Sequence, residues 1–144
     1  MSSRKRRAAV PTEATAFFSF PGADDLWRRL GGFESPPWIG FVAEFGVVGN
    51  GPGAVRTVAL RDGTRFRDVL REVVGRCCRC ELADLPAGAG PVVHELTVWD
   101  DQPGLTIAHW RCSLPRDLRP VPEAVRALAV LFEDAFRAAG GHVQ

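Results

Sequence analysis

The chain has 144 residues, 46% hydrophobic and 24% charged, which suits one globular domain with a core large enough to stand without disulfide or metal staples. Net charge is +1, but four of the 18 basic residues lie at positions 4–7, leaving 14 against 17 acids, a balance that excludes the body as a nucleic-acid binder. No stretch approaches the roughly 18 apolar residues of a membrane-spanning helix.

The basic start, "MSSRKRRAAV", is followed by Pro11, Thr12 and Glu13 instead of the apolar run an export signal requires. Residues 1–11 therefore read as a disordered basic tail, residues 12–144 as one domain, and the chain is expected in the cytoplasm. "TEATAFFSF" (12–20) is β-rich and ends at Pro21-Gly22. "ADDLWRRLGG" then places acids first, arginines later and glycines last, which matches the helix dipole and a glycine stop. "FESPPWIG" is a proline-broken connector with room for one more helical turn.

From 40 to 114 the sequence predicts six strands: "FVAEFGVVG", "AVRTVAL", "RFRDVLREVVG", "RCCRCELADL", "PVVHELTVWDD" and "LTIAHWRCSL". Turn signals punctuate them at the spacing of an antiparallel meander. The Gly49, Gly51 and Gly53 cluster is one of these turns; with no helix after it, it is not a phosphate loop. "EAVRALAVLFEDAFRAA" follows Pro122 as an amphipathic helix, with Val125, Leu128, Leu131, Phe132, Ala135 and Phe136 on one stripe and Gly140-Gly141 as its stop. The cysteines, Cys77, Cys78, Cys80 and Cys112, lack C-x-x-C spacing, so no metal is expected. In an alternating strand Cys78 and Cys80 share one face and Cys77 takes the other, the usage of small apolar residues in a reducing compartment.

This element order predicts an α+β fold: a curved seven-stranded antiparallel sheet wrapped around a long C-terminal helix, with two short helices after the first strand. One helix about 10 Å wide falls short of filling a bowl of seven strands about 4.8 Å apart, so an internal cavity is expected.

"LWRRLGGFESPPWIG" resembles the V-W-x-x-x-x-D-F-x-x-x-x-x-W-H-P motif of the START-type, birch-pollen-allergen-like (SRPBCC) helix-grip superfamily, bacterial polyketide cyclase/dehydratase-like branch. "GPGAVRTVALRDGTRFRDVL" resembles its G-x-G-A-V-R-x-x-x-L-x-x-G-x-x-x-x-E-x-L, and "AHWRCSL" its V-x-W-x-A-x-F. The resemblance covers about residues 13–140 and implies a helix-grip fold. It also implies either a cofactor-independent cyclase or dehydratase of secondary metabolism, such as antibiotic biosynthesis, or a carrier for a hydrophobic small molecule or lipid. Three departures stand out: Ile39 replaces the motif histidine, Asp68 the glutamate and Gly32 the aspartate. The chain has no tyrosine.

Alternation puts Arg56 and Asp68 on the apolar faces of their strands. With a three-residue or bulged turn, Leu60 is expected to pair with Phe66, Val58 with Asp68 and Arg56 with Leu70, which makes the two charges diagonal neighbours. A strict two-residue Asp-Gly loop would put Arg65 and Arg67 on that face instead, and the apolar alternation favours the first register. A buried ion pair that only fixes the sheet is one reading. The other has Arg56 holding a ligand oxygen while Asp68 orients it. His94 alternates with Leu96 and Val98 and is either a hydrogen-bonded core residue or the base of an aldol-type cyclisation or dehydration. His109 and Glu44 are expected to face outward, and Trp27 to pack beneath its helix. Trp38, Phe45, Val58, Phe66, Leu70, Cys80, Leu96, Trp110, Leu128 and Phe132 are expected to line the cavity, though each also serves as plain core. A nucleophilic cysteine would need a neighbouring base that the strand pattern does not show.

Overall fold

A computed structural model describes residues 12–85, 90–115, 118 and 121–144. The basic tail expected at 1–11 lies outside the described residues. The elements are β1 (Glu13–Phe18), α1 (Ala23–Leu30), a 3-10 turn (Ile39–Phe41), β2 (Val42–Val48), β3 (Val55–Leu60), β4 (Arg65–Val74), β5 (Cys77–Leu82), β6 (Val93–Gln102), β7 (Leu105–Ser113), α2 (Glu123–Ala138) and β8 (His142–Val143). All strands pair antiparallel in the order β2-β3-β4-β5-β6-β7-β1-β8.

Among the described residues the expected seven strands are eight. Past α2 the chain turns back through Gly140, at φ +95°, and pairs Val143 with Ala16 and His142 with Phe17. A Cβ on Gly141 would lie 2.5 Å from the Phe18 ring, so the glycines that stop the helix also let the backbone pass tightly over β1. The expected second short helix is the single 3-10 turn.

Bulges between Val42 and Glu44, Leu70 and Glu72, and Asp100 and Gln102 bend the sheet. Its concave face carries every second residue of each strand. Val125, Leu128, Phe132 and Phe136 of α2 pack into it. Burial of each such side chain contributes roughly 1.5–3 kcal/mol.

Among the described residues the bowl is filled where a cavity was expected. Trp38 and Trp110 are both 0% exposed. The Trp110 ring stacks on Phe132 at 5.5 Å and 15°, and Trp38 meets Phe132 and Phe45 edge-on. The estimate from backbone dimensions left out these rings, above all Trp38, which a connector and not a strand delivers. Beside Arg56 and His94 remains a void of about 20 Å³.

Candidate functional site

Two apolar clusters share the concave face. The main one lies under α2; the smaller one, Phe33, Ala54, Leu70, Cys78 and Cys80, lies under the connector that follows α1. Between them runs a buried polar chain.

Arg56 on β3 stands directly opposite Asp68 on β4, closer than the expected diagonal. The turn has the three residues expected of it, but it sets the strands two residues closer in register. Arg61, Asp62 and Gly63 form a three-residue loop, closed by the Leu60 N–H donating to the Thr64 carbonyl at 2.8 Å, with Gly63 at φ +96°. The faces are as the alternation predicts; the pairing moves by two, to Val58 with Phe66 and Arg56 with Asp68.

The Arg56 guanidinium grips Asp68 with both prongs: Nε donates to Oδ1 at 2.9 Å and Nη2 to Oδ2 at 2.6 Å. Its Nη1 donates to the Phe33 carbonyl at 3.2 Å, and its plane lies 4.2 Å from the Phe33 ring centroid and 4.9 Å from that of Trp38. The charge is thus screened by π faces as well as paired. Burial pushes the Asp68 carboxyl up, but the His94 hydrogen bond and the charge and hydrogen bonds of Arg56 outweigh it and hold the group below the ordinary carboxylate range.

His94 on β6 continues the chain. An indole N–H only donates, so the 3.1 Å contact from Trp110 Nε1 makes His94 Nδ1 an acceptor. The ring proton therefore sits on Nε2 and is donated to Asp68 Oδ2 at 3.0 Å. Both nitrogens of the imidazole are used inside the protein. A second proton at Nδ1 would set two donors face to face.

The structure also brings together what the sequence keeps apart. Asp68, Cys80 and His94 hold potential ligand atoms within 4.8 Å of one another. They are a poor fit for a metal ion: Asp68 is neutralised by Arg56, and the His94 nitrogen on that side carries a proton. Spacing rules along the chain miss this cluster because cross-strand pairing assembles it, Cys80 being opposite His94. The thiols differ. Cys112 is pushed up to about 12 by burial. The Cys78–Cys80 sulfur contact, with burial, raises Cys80; the same contact, with the Arg56 charge, lowers Cys78 against its own burial.

Of the residues expected to line a cavity, Val58, Phe66, Leu70, Cys80, Leu96, Leu128, Phe132, Trp38 and Trp110 are buried in the two clusters, and Phe45 is half-buried. Among the described residues Trp38 Nε1 is a buried donor with no acceptor. His109 sits on the outer face against Glu13, Glu44 is exposed, and Trp27 is half-buried against both clusters.

Open concavities lie elsewhere, and one of them has apolar walls. A groove of about 390 Å³ runs between the 3-10 turn, the β3–β4 turn and the first half of α2. Phe41, Leu60, Val130 and Leu131 give it apolar walls, and Arg61, Asp62, Glu123, Arg126 and Asp134 a charged rim. Phe41 and Val130 are exposed at 38% and 49%. The sequence signal for it was Val130, the apolar residue off the buried stripe of α2.

No protein-family model and no curated protein sequence matches this chain. Solved structures do. The protein XoxI from Bacillus cereus superposes with a TM-score of 0.66 at 20% identity over 88% of this chain and 90% of that one. Norcoclaurine synthase from Thalictrum flavum, in complex with dopamine and hydroxybenzaldehyde, gives 0.63 at 12% identity over 88% and 83%. The di-domain ARO/CYC StfQ from the steffimycin biosynthetic pathway gives 0.53 at 17% identity, over 96% of this chain and 48% of that one. The shared architecture is the helix-grip one: a large antiparallel sheet closed by a C-terminal helix. At these identities the likeness is one of fold.

Proposed function

We propose that this helix-grip chain is a binding protein for a hydrophobic small molecule, seated in the groove between the 3-10 turn, the β3–β4 turn and α2. The groove itself carries the reading. Its volume falls in the range of about 300–1,000 Å³ typical of small-molecule sites, and its apolar walls with a polar rim are what such ligands require. The aromatic molecules bound by norcoclaurine synthase make a flat, carbonyl-bearing ligand the first class to test. Ligand at a hundredfold excess over its Kd stabilises the protein by about 2.7 kcal/mol, which a thermal-shift panel of aromatic ketones and fatty acids detects. Val130→Glu places a charge on the groove wall at an exposed helix position. It is expected to abolish the shift while leaving the unliganded Tm unchanged; ligand shifts that survive the substitution move the site elsewhere.

One observation favours a second reading, catalysis as a cyclase or dehydratase. A buried Arg–Asp–His–Trp chain is a costly way to fill a core, and here it borders a void beneath the Gly31–Trp38 connector. In this reading the connector lifts away. Arg56 then stabilises an enolate oxygen, Asp68 orients it, His94 moves the proton, and no cofactor takes part. Arg56→Gln and His94→Gln would abolish turnover of a poly-ketone substrate without affecting groove binding. Turnover unchanged in both variants excludes this reading and leaves the first intact.

A further inference from the structure

Cys78 and Cys80 project from one face of β5 with their sulfurs 3.9 Å apart, in contact and unbridged. We propose that this pair is a modification site for hydrogen peroxide, with Cys78 attacking and Cys80 resolving, and that it closes to a reversible intrastrand disulfide.

Three features of the surroundings carry the assignment, independently of the groove. First, the two thiols are unequal: their sulfur contact lowers Cys78 and raises Cys80, while the Arg56 guanidinium favours the anion at either sulfur, so Cys78 is the better nucleophile. Second, both cysteines line the 20 Å³ void, which holds one molecule of about the size of water. Third, the void and the surface share part of one wall. Gly32 and Phe33 line the void from inside and also line an open surface depression with Ser35, Gly51 and Leu70. A small peroxide therefore needs only a short displacement of this connector to reach Cys78, while a bulky one has no room.

The chemistry balances. The Cys78 thiolate attacks one peroxide oxygen, the O–O bond breaks, and the departing hydroxide takes a proton to leave as water. Cys78 is then a sulfenic acid. The Cys80 sulfur gives up its proton to the sulfenic oxygen and attacks Cys78; the S–S bond forms and a second water leaves. Two thiols are oxidised by two electrons and one peroxide is reduced. Residues two apart on a strand have Cα atoms about 6.6–6.8 Å apart, at the upper limit for a disulfide. The bridge is therefore strained and readily reduced, as a reversible mark requires.

The test uses the reduced full-length chain, stoichiometric hydrogen peroxide, alkylation of the remaining thiols and peptide mass mapping. The expected result is loss of two of the four thiols, a mapped Cys78–Cys80 bridge, and full recovery with dithiothreitol. Cys80→Ser stops at a sulfenic acid on Cys78, trapped by dimedone. Cys77→Ser, which removes the thiol on the opposite face, behaves as wild type. Cumene hydroperoxide reacts roughly tenfold or more slowly because the void excludes it. An unchanged thiol count, a bridge through Cys77 or between two chains, or equal rates with both peroxides overturns the proposal. Because the bridge is mapped in the wild-type protein, the result does not depend on a variant folding.

Discussion

Asp68 takes three hydrogen bonds at the centre of the concave face, two from Arg56 and one from His94, and is 0% exposed. Removing its charge alone leaves a guanidinium buried without a counter-ion, so Asp68→Asn is expected to cost about 3–5 kcal/mol in urea unfolding. An Arg56→Met, Asp68→Leu double variant removes both charges and is expected to recover most of that loss. The pH dependence follows from the direction of the shift. A carboxyl held below its ordinary value in the folded state stabilises fully above the unfolded value near 3.8, and that stabilisation is lost as the pH falls through the depressed value. The stability gap between wild type and the double variant is therefore expected to be constant from pH 7 to about 5 and to narrow in stronger acid, as read by circular dichroism. His94 makes a separate prediction. Trp110→Phe takes away the donor that fixes its tautomer, at about 1–3 kcal/mol for the acceptor left unpaired. The imidazole ¹⁵N signals should then lose the fixed pattern of an acceptor at Nδ1 and a donor at Nε2; unchanged signals would mean the indole does not set the tautomer. That both charges face inward is legible from alternation alone. That they stand opposite each other is not, because register depends on the turn, and the three-residue loop at Gly63 sets it.

Among the elements, α2 is the most legible. Its spacing of apolar residues names six of the eight side chains that are buried, since a helix that must cover a sheet shows its period directly. The last strand is the least legible. Two residues carry no period, and β8 exists only because Gly140 and Gly141 bring the chain back across Phe18. Gly141→Ala is accordingly expected to cost about 1–3 kcal/mol by forcing a Cβ into the Phe18 ring, with hydrogen exchange at residues 142–143 rising more than in α2. Equal protection in the variant would show that the close approach is dispensable. The 3-10 turn between connector and β2 belongs to the same class: its helical character is a consequence of where Trp38 must be buried.

For the whole molecule the decisive quantity is how well the bowl is filled. Trp38→Ala is expected to cost about 3–5 kcal/mol and to create a dye-accessible cavity next to Phe45, Phe66 and Phe132, where wild type takes up none. Trp38→Phe, which also removes a buried donor that has no acceptor, should cost much less, because only packing is lost. Alternation and helical period report burial one element at a time, so the amino-acid pattern alone shows which residues face inward and a strand-rich body closed by one long helix, while the helix-grip reading comes from the motif resemblance. Only the tertiary structure decided that the interior is plugged, that the open groove lies outside the bowl, and that Arg56, Asp68, His94 and Trp110 form one chain with Cys78 and Cys80 beside it. Those facts depend on side-chain volumes from distant segments meeting at one point, a sum over the folded chain that no local pattern contains.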